Sequence, residues 1–190
     1  NGEKSADFDA VLTVDGAYKA ADFINFCDAY DIPVLSLTNV KGYAADVRSE
    51  KSIAKAVAKL TYAFANANVP KVNVITGEAY GSAYVTMNSK ALGADVTYAW
   101  PDASIGMMDA NEAAKIMYAD DIAKSADVQS VISEKAAEYA ALQSGVESAA
   151  ARGYVDTIIN PEDTRKYVAA AFEMLYTKRE DRPDKKHGTV

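Results

Sequence analysis

From Phe8 to Asn88 the chain alternates short β-branched runs with helical ones, and that order leaves few folds open. Residues 8–14 read as a strand, and 17–30 follow as a helix with Ala20, Ile24 and Cys27 on one face. Pro33 breaks that helix, residues 34–37 resume as a strand, and Asn39-Val40-Lys41-Gly42-Tyr43 reads as the loop leaving it. Between 49 and 67, the residues Ile53, Ala56, Val57, Leu60, Ala63 and Phe64 recur at helical spacing, the clearest amphipathic pattern in the chain. Pro70 ends it, 72–75 form a third strand, and 77–81 make a tight connection into the small-residue segment 82–88. Strands separated by helices run parallel with right-handed crossovers, so the expectation is an α/β layer structure.

The second half has a different grain. Residues 95–99 and 103–107 are short strand candidates bracketing Trp100-Pro101, and Asp109 to Glu112 looks like an N-cap with its box partner. Residues 127–143 read as one helix, and Gly153 after Arg152 looks like a C-terminal cap. Asn160-Pro161-Glu162-Asp163 opens a last helix, with Val168, Ala171, Phe172 and Leu175 on its buried side. No repeat and no Gly/Ser linker divides the chain, so residues 1–176 are expected to form one domain, with 177–190 a polar tail. Alanine outnumbers leucine 36 to 7, which favours helices packed close to a sheet.

Charge and rare residues narrow the function. A net charge of −7 argues against binding a phosphate backbone, which needs clustered Lys and Arg. No apolar run approaches the roughly 20 residues that cross a bilayer, and the first residues are neither a secretory nor a transit signal, so a cytoplasmic protein is expected. The single Cys27 and single His187 supply neither a disulfide nor a cysteine or histidine metal site, and no metal is expected. The chain starts without Met and enters a strand within a few residues, which is expected of a piece of something longer.

The segment with most chemical promise is Thr76-Gly77-Glu78-Ala79-Tyr80-Gly81-Ser82-Ala83-Tyr84, where a strand ends and small residues lead into a helix. Free N–H groups at a helix start point outward together, and Gly, Ser and Ala let a ligand approach them, although such residues equally serve a tight turn against a neighbour. The 39–43 loop sits at the carboxyl end of an adjacent parallel strand, where open α/β sheets bind ligands. Ser82 is not set as a nucleophile, because Tyr80-Gly81-Ser82-Ala83-Tyr84 lacks the Gly-x-Ser-x-Gly pattern and no base is near. Asp15 and the Asp120-Asp121 pair read as capping or surface acids, and Cys27 as a core residue.

With Gly42-Tyr43, the 78–84 segment, Tyr98-Ala99-Trp100-Pro101, Arg152-Gly153-Tyr154-Val155-Asp156 and Lys185-Lys186-His187 in view together, the chain resembles the C-terminal half of a biotin-dependent acyl-CoA carboxyltransferase. It is similar there to the β subunits of propionyl-CoA carboxylase and the α subunits of related decarboxylases, from about residue 9 to 187. The resemblance implies a crotonase-like (ClpP/crotonase) ββα superhelix. It also implies that the backbone amides of Ser82 and Ala83 form an oxyanion hole for the ureido oxygen of carboxybiotin. Gly42, Tyr43, Tyr80, Gly81 and Val85 would line the biotin and substrate pocket. The implied cofactor is biotin on a carrier, the substrate a coenzyme A thioester. The implied partners are an N-terminal half, the biotin carboxyl carrier protein and further copies in a homo-oligomer.

Three departures from the family pattern bear on this. Gly-Gly-Ala becomes Gly81-Ser82-Ala83, which keeps the backbone donors. Asp gives way to Val85, which leaves the acyl group open. The Asp-Val-Pro-Gly-Phe loop becomes Asn39-Val40-Lys41-Gly42-Tyr43, gaining a cation and losing a rigid Pro. Two other functions compete: a free-standing crotonase-like hydratase or isomerase with Glu78 as its acid or base, and a non-catalytic module that docks the carrier protein.

Overall fold

A computed structural model describes residues 10–125 and 127–180 of the chain. The start of the first expected strand, the end of the expected tail and His187 lie outside the described residues. After β1 (Val11–Leu12) comes α1 (Val14–Ala29), opened by Thr13, whose hydroxyl accepts the Gly16 N–H. Its buried stripe is Val14, Ala17, Ala21, Ile24 and Cys27, so Ala20 stands beside that face rather than at its centre. Strand β2 (Val34–Val40) follows and buries alternate residues from Val34 to Val40. The short β3 (Gly42–Tyr43) pairs in parallel with β1. Helix α2 (Val47–Asn66) starts two residues before the hydrophobic pattern does. Asp46 caps it by accepting from the amides of Arg48 and Ser49, and the Ser49 hydroxyl holds that carboxyl below its ordinary value.

Strand β4 (Lys71–Tyr80) is the axis of the sheet and the main correction to the sequence reading. Residues 77–80, expected in a tight connection, continue the strand, and Asn39 and Val40, expected in a loop, belong to β2. The strands β5 (Val96–Ala99), β6 (Ser104–Gly106) and β7 (Thr157–Ile158) complete a parallel sheet ordered β2-β4-β5-β7, with β6 also on β4. Along one side β4 pairs first with β5, ending at Ile75 opposite Ala99, and then with β6, starting at Glu78 opposite Ser104. On the other side its register with β2 slips, from Thr38 opposite Ile75 to Val40 opposite Ala79. That irregularity is why a glycine-containing strand looked like a turn.

The chain reverses instead at Gly81, whose φ is +59°, to begin α3 (Gly81–Thr86). In the second half, α4 (Ala110–Met117) is capped by Asp109, which accepts the Asn111 N–H, while Glu112 binds Lys115 at 2.7 Å. A short α5 (Ala119–Lys124) leads to α6 (Val128–Tyr139), which continues without a break into a wider π-helical turn over Ala140–Ser144, so the helix expected over 127–143 forms with its last turn widened. Helix α7 (Val146–Ala151) stops at Arg152 and Gly153, whose φ of +81° makes it the expected cap. Asn160 gives no side-chain cap; a tight turn at Pro161–Asp163 feeds α8 (Thr164–Leu175). Lys178, in the segment read as tail, ties back to the Val69 carbonyl and the Asp95 carboxylate.

The sheet separates two cores. Alternation along β4 sends Val72 and Val74 to one face, under Val168 and Ala171 of α8, and Ile75 to the other, with Leu60, Ala63 and Phe64 of α2. Lys71 and Asn73 share the α2 face and are fully buried, so each needs polar partners. Lys71 Nζ donates to the Phe64 carbonyl at 2.7 Å, and Asn73 Oδ1 accepts from the Thr38 hydroxyl at 2.7 Å. Among the described residues no helix is long and apolar enough to cross a membrane.

Candidate functional site

Gly81 is confined twice over. Its positive φ disfavours any side chain, and a Cβ there would stand 3.0 Å from the Met107 carbonyl oxygen. The close approach exists because β6 lies against the end of β4, with Tyr80 opposite Gly106. Past this turn, Ser82 and Ala83 occupy the first turn of α3, where amides have no carbonyl one turn back within the helix.

Two cavities meet at the turn, with Gly81, Ser82 and Met107 lining both. The first, of about 580 Å³, is also lined by Lys41, Gly42, Tyr43, Tyr80 and Ala83. Most of the residues proposed from the sequence therefore share one wall. Two separate pairings bring them together: β1 with β3 carries Gly42 and Tyr43, and β4 with β6 carries Tyr80 to the turn. The second cavity, of about 550 Å³, is more apolar, with Ile105, Tyr139 and Tyr154 among its walls. Val85 lies there and not with Gly42 and Tyr43, because it stands one helical turn beyond Ser82 on the side of α3 that faces the second cavity, whereas Ala83 lines only the first.

Two phenols beside the turn are held above the ordinary tyrosine value. Tyr80 donates its hydroxyl hydrogen to Ser104 Oγ at 2.9 Å. Burial pushes its phenol up, the Ser104 bond works against this, and the nearby charges of Glu78 and Asp109 add to it. Tyr84 is pushed up to about 12, mainly by burial and further by Tyr154. Its hydroxyl is buried without a hydrogen-bond partner among the described residues. Glu78 lines the first cavity, and its backbone N–H donates to Asn39 Oδ1 at 2.9 Å. Sequence reasoning missed Met107, which carries no local signal: its role comes from a β6 register set by residues far along the chain.

Comparison with known proteins agrees with this architecture. A family model described as the carboxyl transferase domain matches residues 5–190. The chain is 50% identical over 180 residues to a Bacillus subtilis (strain 168) protein provisionally named a propionyl-CoA carboxylase beta chain, covering 94% of this chain and 36% of that one. It is 43% identical over 178 residues to the methylmalonyl-CoA carboxyltransferase 12S subunit of Propionibacterium freudenreichii subsp. shermanii, covering 93% and 34%. The transcarboxylase 12S hexamer, solved with methylmalonyl-coenzyme A and methylmalonic acid bound, matches with a TM-score of 0.89 at 42% identity, over 94% of this chain and 34% of that one. The chain spans about a third of the length of the curated relatives it matches. Its parallel α/β layers are those of the crotonase-like fold, as the sequence resemblance implied. Sequence and fold together establish that this chain belongs to the carboxyl transferase domain family.

Proposed function

We propose that this chain supplies the carboxybiotin-binding face of a biotin-dependent acyl-CoA carboxyltransferase, acting in the cytoplasm with an N-terminal half that presents the acyl-CoA thioester. The observation that carries this reading is the convergence of Gly42, Tyr43, Tyr80 and the first-turn residues Ser82 and Ala83 on one cavity of about 580 Å³. Two adjacent amides suit a single carbonyl oxygen, and Tyr43 offers a flat wall for a small bicyclic ring. Bound carboxybiotin supplies the activated carboxyl group. The chain's own contribution is electrostatic: the Ser82 and Ala83 amides donate to the ureido oxygen, and fixed dipoles do this without moving a proton. Gly42, Tyr43 and Tyr80 screen those amides from water. The raised phenol of Tyr80 stays protonated at neutral pH, so it serves as wall and donor rather than base. Val85 helps shape the neighbouring apolar cavity, which we assign to the short acyl group. In this reading residues 1–176 are the domain, 177–190 its tail, and the working form is an oligomer served by a biotin carboxyl carrier protein.

The test is reconstitution. Co-expressed with the N-terminal half of a propionyl-CoA carboxylase beta chain, the chain is expected to transfer a carboxyl group from methylmalonyl-CoA to free biotin, and alone to transfer none. Full transfer by the isolated chain overturns the proposal. Hydration of crotonyl-CoA by the isolated chain, abolished in Glu78→Gln, supports a hydratase instead. Carrier binding without transfer in the reconstituted enzyme supports an assembly module.

A further inference from the structure

We infer that Asn39 is a positioning residue for the Ser82 and Ala83 amides, a role that rests on the proposed function for its chemical meaning but not for its geometry. Between Thr38–Ile75 and Val40–Ala79, β4 spends four residues against two on β2. An extruded segment of this kind leaves backbone amides without a ladder partner and lets the strand beyond it drift in register. Asn39 sits opposite the gap. Its side-chain oxygen accepts the Glu78 N–H at 2.9 Å, taking the place of the missing strand carbonyl. The Thr76 hydroxyl donates to the Thr38 carbonyl at 3.4 Å on the near side of the gap.

The fit around the carboxamide is tight. A Cβ on Gly77 would lie 2.8 Å from Asn39 Oδ1 and 3.1 Å from its Cγ, so residue 77 has no side chain because Asn39 occupies that space. The bond falls where β4 changes neighbours, Ile75 being its last partner of β5 and Glu78 its first of β6. From Glu78 the strand runs three residues to the Gly81 turn and the amides of Ser82 and Ala83. Along the chain Asn39, near the end of β2, lies three residues before Gly42, where β3 begins. One side chain thus links the strand leading to the Gly42–Tyr43 wall with the strand leading to the amides, and sets the spacing across the first cavity.

Three variants read this out. Asn39→Asp keeps an acceptor oxygen in place, Asn39→Leu keeps the shape and removes it, and Gly77→Ala pushes the carboxamide away. In the chain itself, hydrogen exchange of the Glu78–Ala83 amides is expected to quicken about tenfold or more in Asn39→Leu and Gly77→Ala, and to stay near wild type in Asn39→Asp. In the reconstituted enzyme, Asn39→Leu is expected to lower kcat about tenfold with KM for the acyl-CoA unchanged, and Asn39→Asp to restore it. Unchanged exchange in both Asn39→Leu and Gly77→Ala overturns the inference, as does an Asn39→Asp as impaired as Asn39→Leu. Should Asn39→Leu fail to fold, Gly77→Ala against Asn39→Asp decides the same point. If wild type transfers no carboxyl group while the exchange pattern holds, the carboxyltransfer reading falls and the positioning role stands.

Discussion

The α-carbon of Gly81 and the carbonyl oxygen of Met107 are in such close contact that a Cβ on residue 81 would stand 3.0 Å from that oxygen. The contact joins the end of β4 to the end of β6 and sets the wall that both cavities share. A positive φ and a close backbone contact coincide at this one position, and the first expectation follows from it.

Gly81→Ala is expected to destabilise the chain by about 1–3 kcal/mol, since it combines an unfavourable positive φ with a clash against backbone that has little room to yield. Urea unfolding monitored by circular dichroism checks this. A change below about 0.5 kcal/mol, the range of ordinary surface substitutions, contradicts it.

Backbone and side chain separate cleanly at the next two positions. Ser82→Ala keeps its amide and is expected to leave carboxyl transfer in the reconstituted enzyme within about threefold, whereas Ala83→Pro deletes one donor and is expected to cost about 10²–10³ in kcat. A Ser82→Ala loss as large as that of Ala83→Pro makes the hydroxyl a participant and removes the case for catalysis by amides alone.

Tyr84 gives a pH dependence with a definite sign. Its phenol is pushed up to about 12 in the folded chain, against about 10 when unfolded, so between these values the unfolded chain loses a proton that the folded chain keeps. Stability is therefore unaffected by this group below about pH 10 and falls above it, by roughly 2–3 kcal/mol at pH 12. Tyr80 and Tyr98, both raised by burial, add in the same direction. Urea midpoints between pH 9 and 12 are expected to fall less steeply in Tyr84→Phe. Because that hydroxyl has no partner among the described residues, the substitution is also expected to leave stability at pH 7 unchanged or slightly higher.

Lys71 is a structural hydrogen-bond donor. It is fully buried, and its side-chain nitrogen donates to the Phe64 carbonyl in the last turn of α2. Lys71→Ala is expected to cost about 2–4 kcal/mol through lost packing and an orphaned carbonyl, again by urea unfolding. Wild-type stability in this variant would mean that the buried side chain and its hydrogen bond contribute nothing net.

Much of this molecule was legible in its residues because the signals are local. The face of α2 is written in the spacing of Ala56, Leu60, Ala63 and Phe64, and Gly153 announces its own cap. Parallel pairing followed from strands separated by helices, since a crossover returns the chain to the same end of the sheet. Where the turn falls was not legible. Gly77 and Gly81 look alike in sequence, yet one is a strand residue made small by Asn39 and the other is the reversal itself. The same holds for Val85, which shares a segment with Ala83 but opens on the other cavity, and for Met107, whose place depends on a register fixed across the sheet. Short-range spacing determines which residues form helices and strands. Contacts such as Asn39 with Glu78, between residues far apart in the chain, exist only once the sheet has formed, and only then do residues distant in sequence come to line a common cavity.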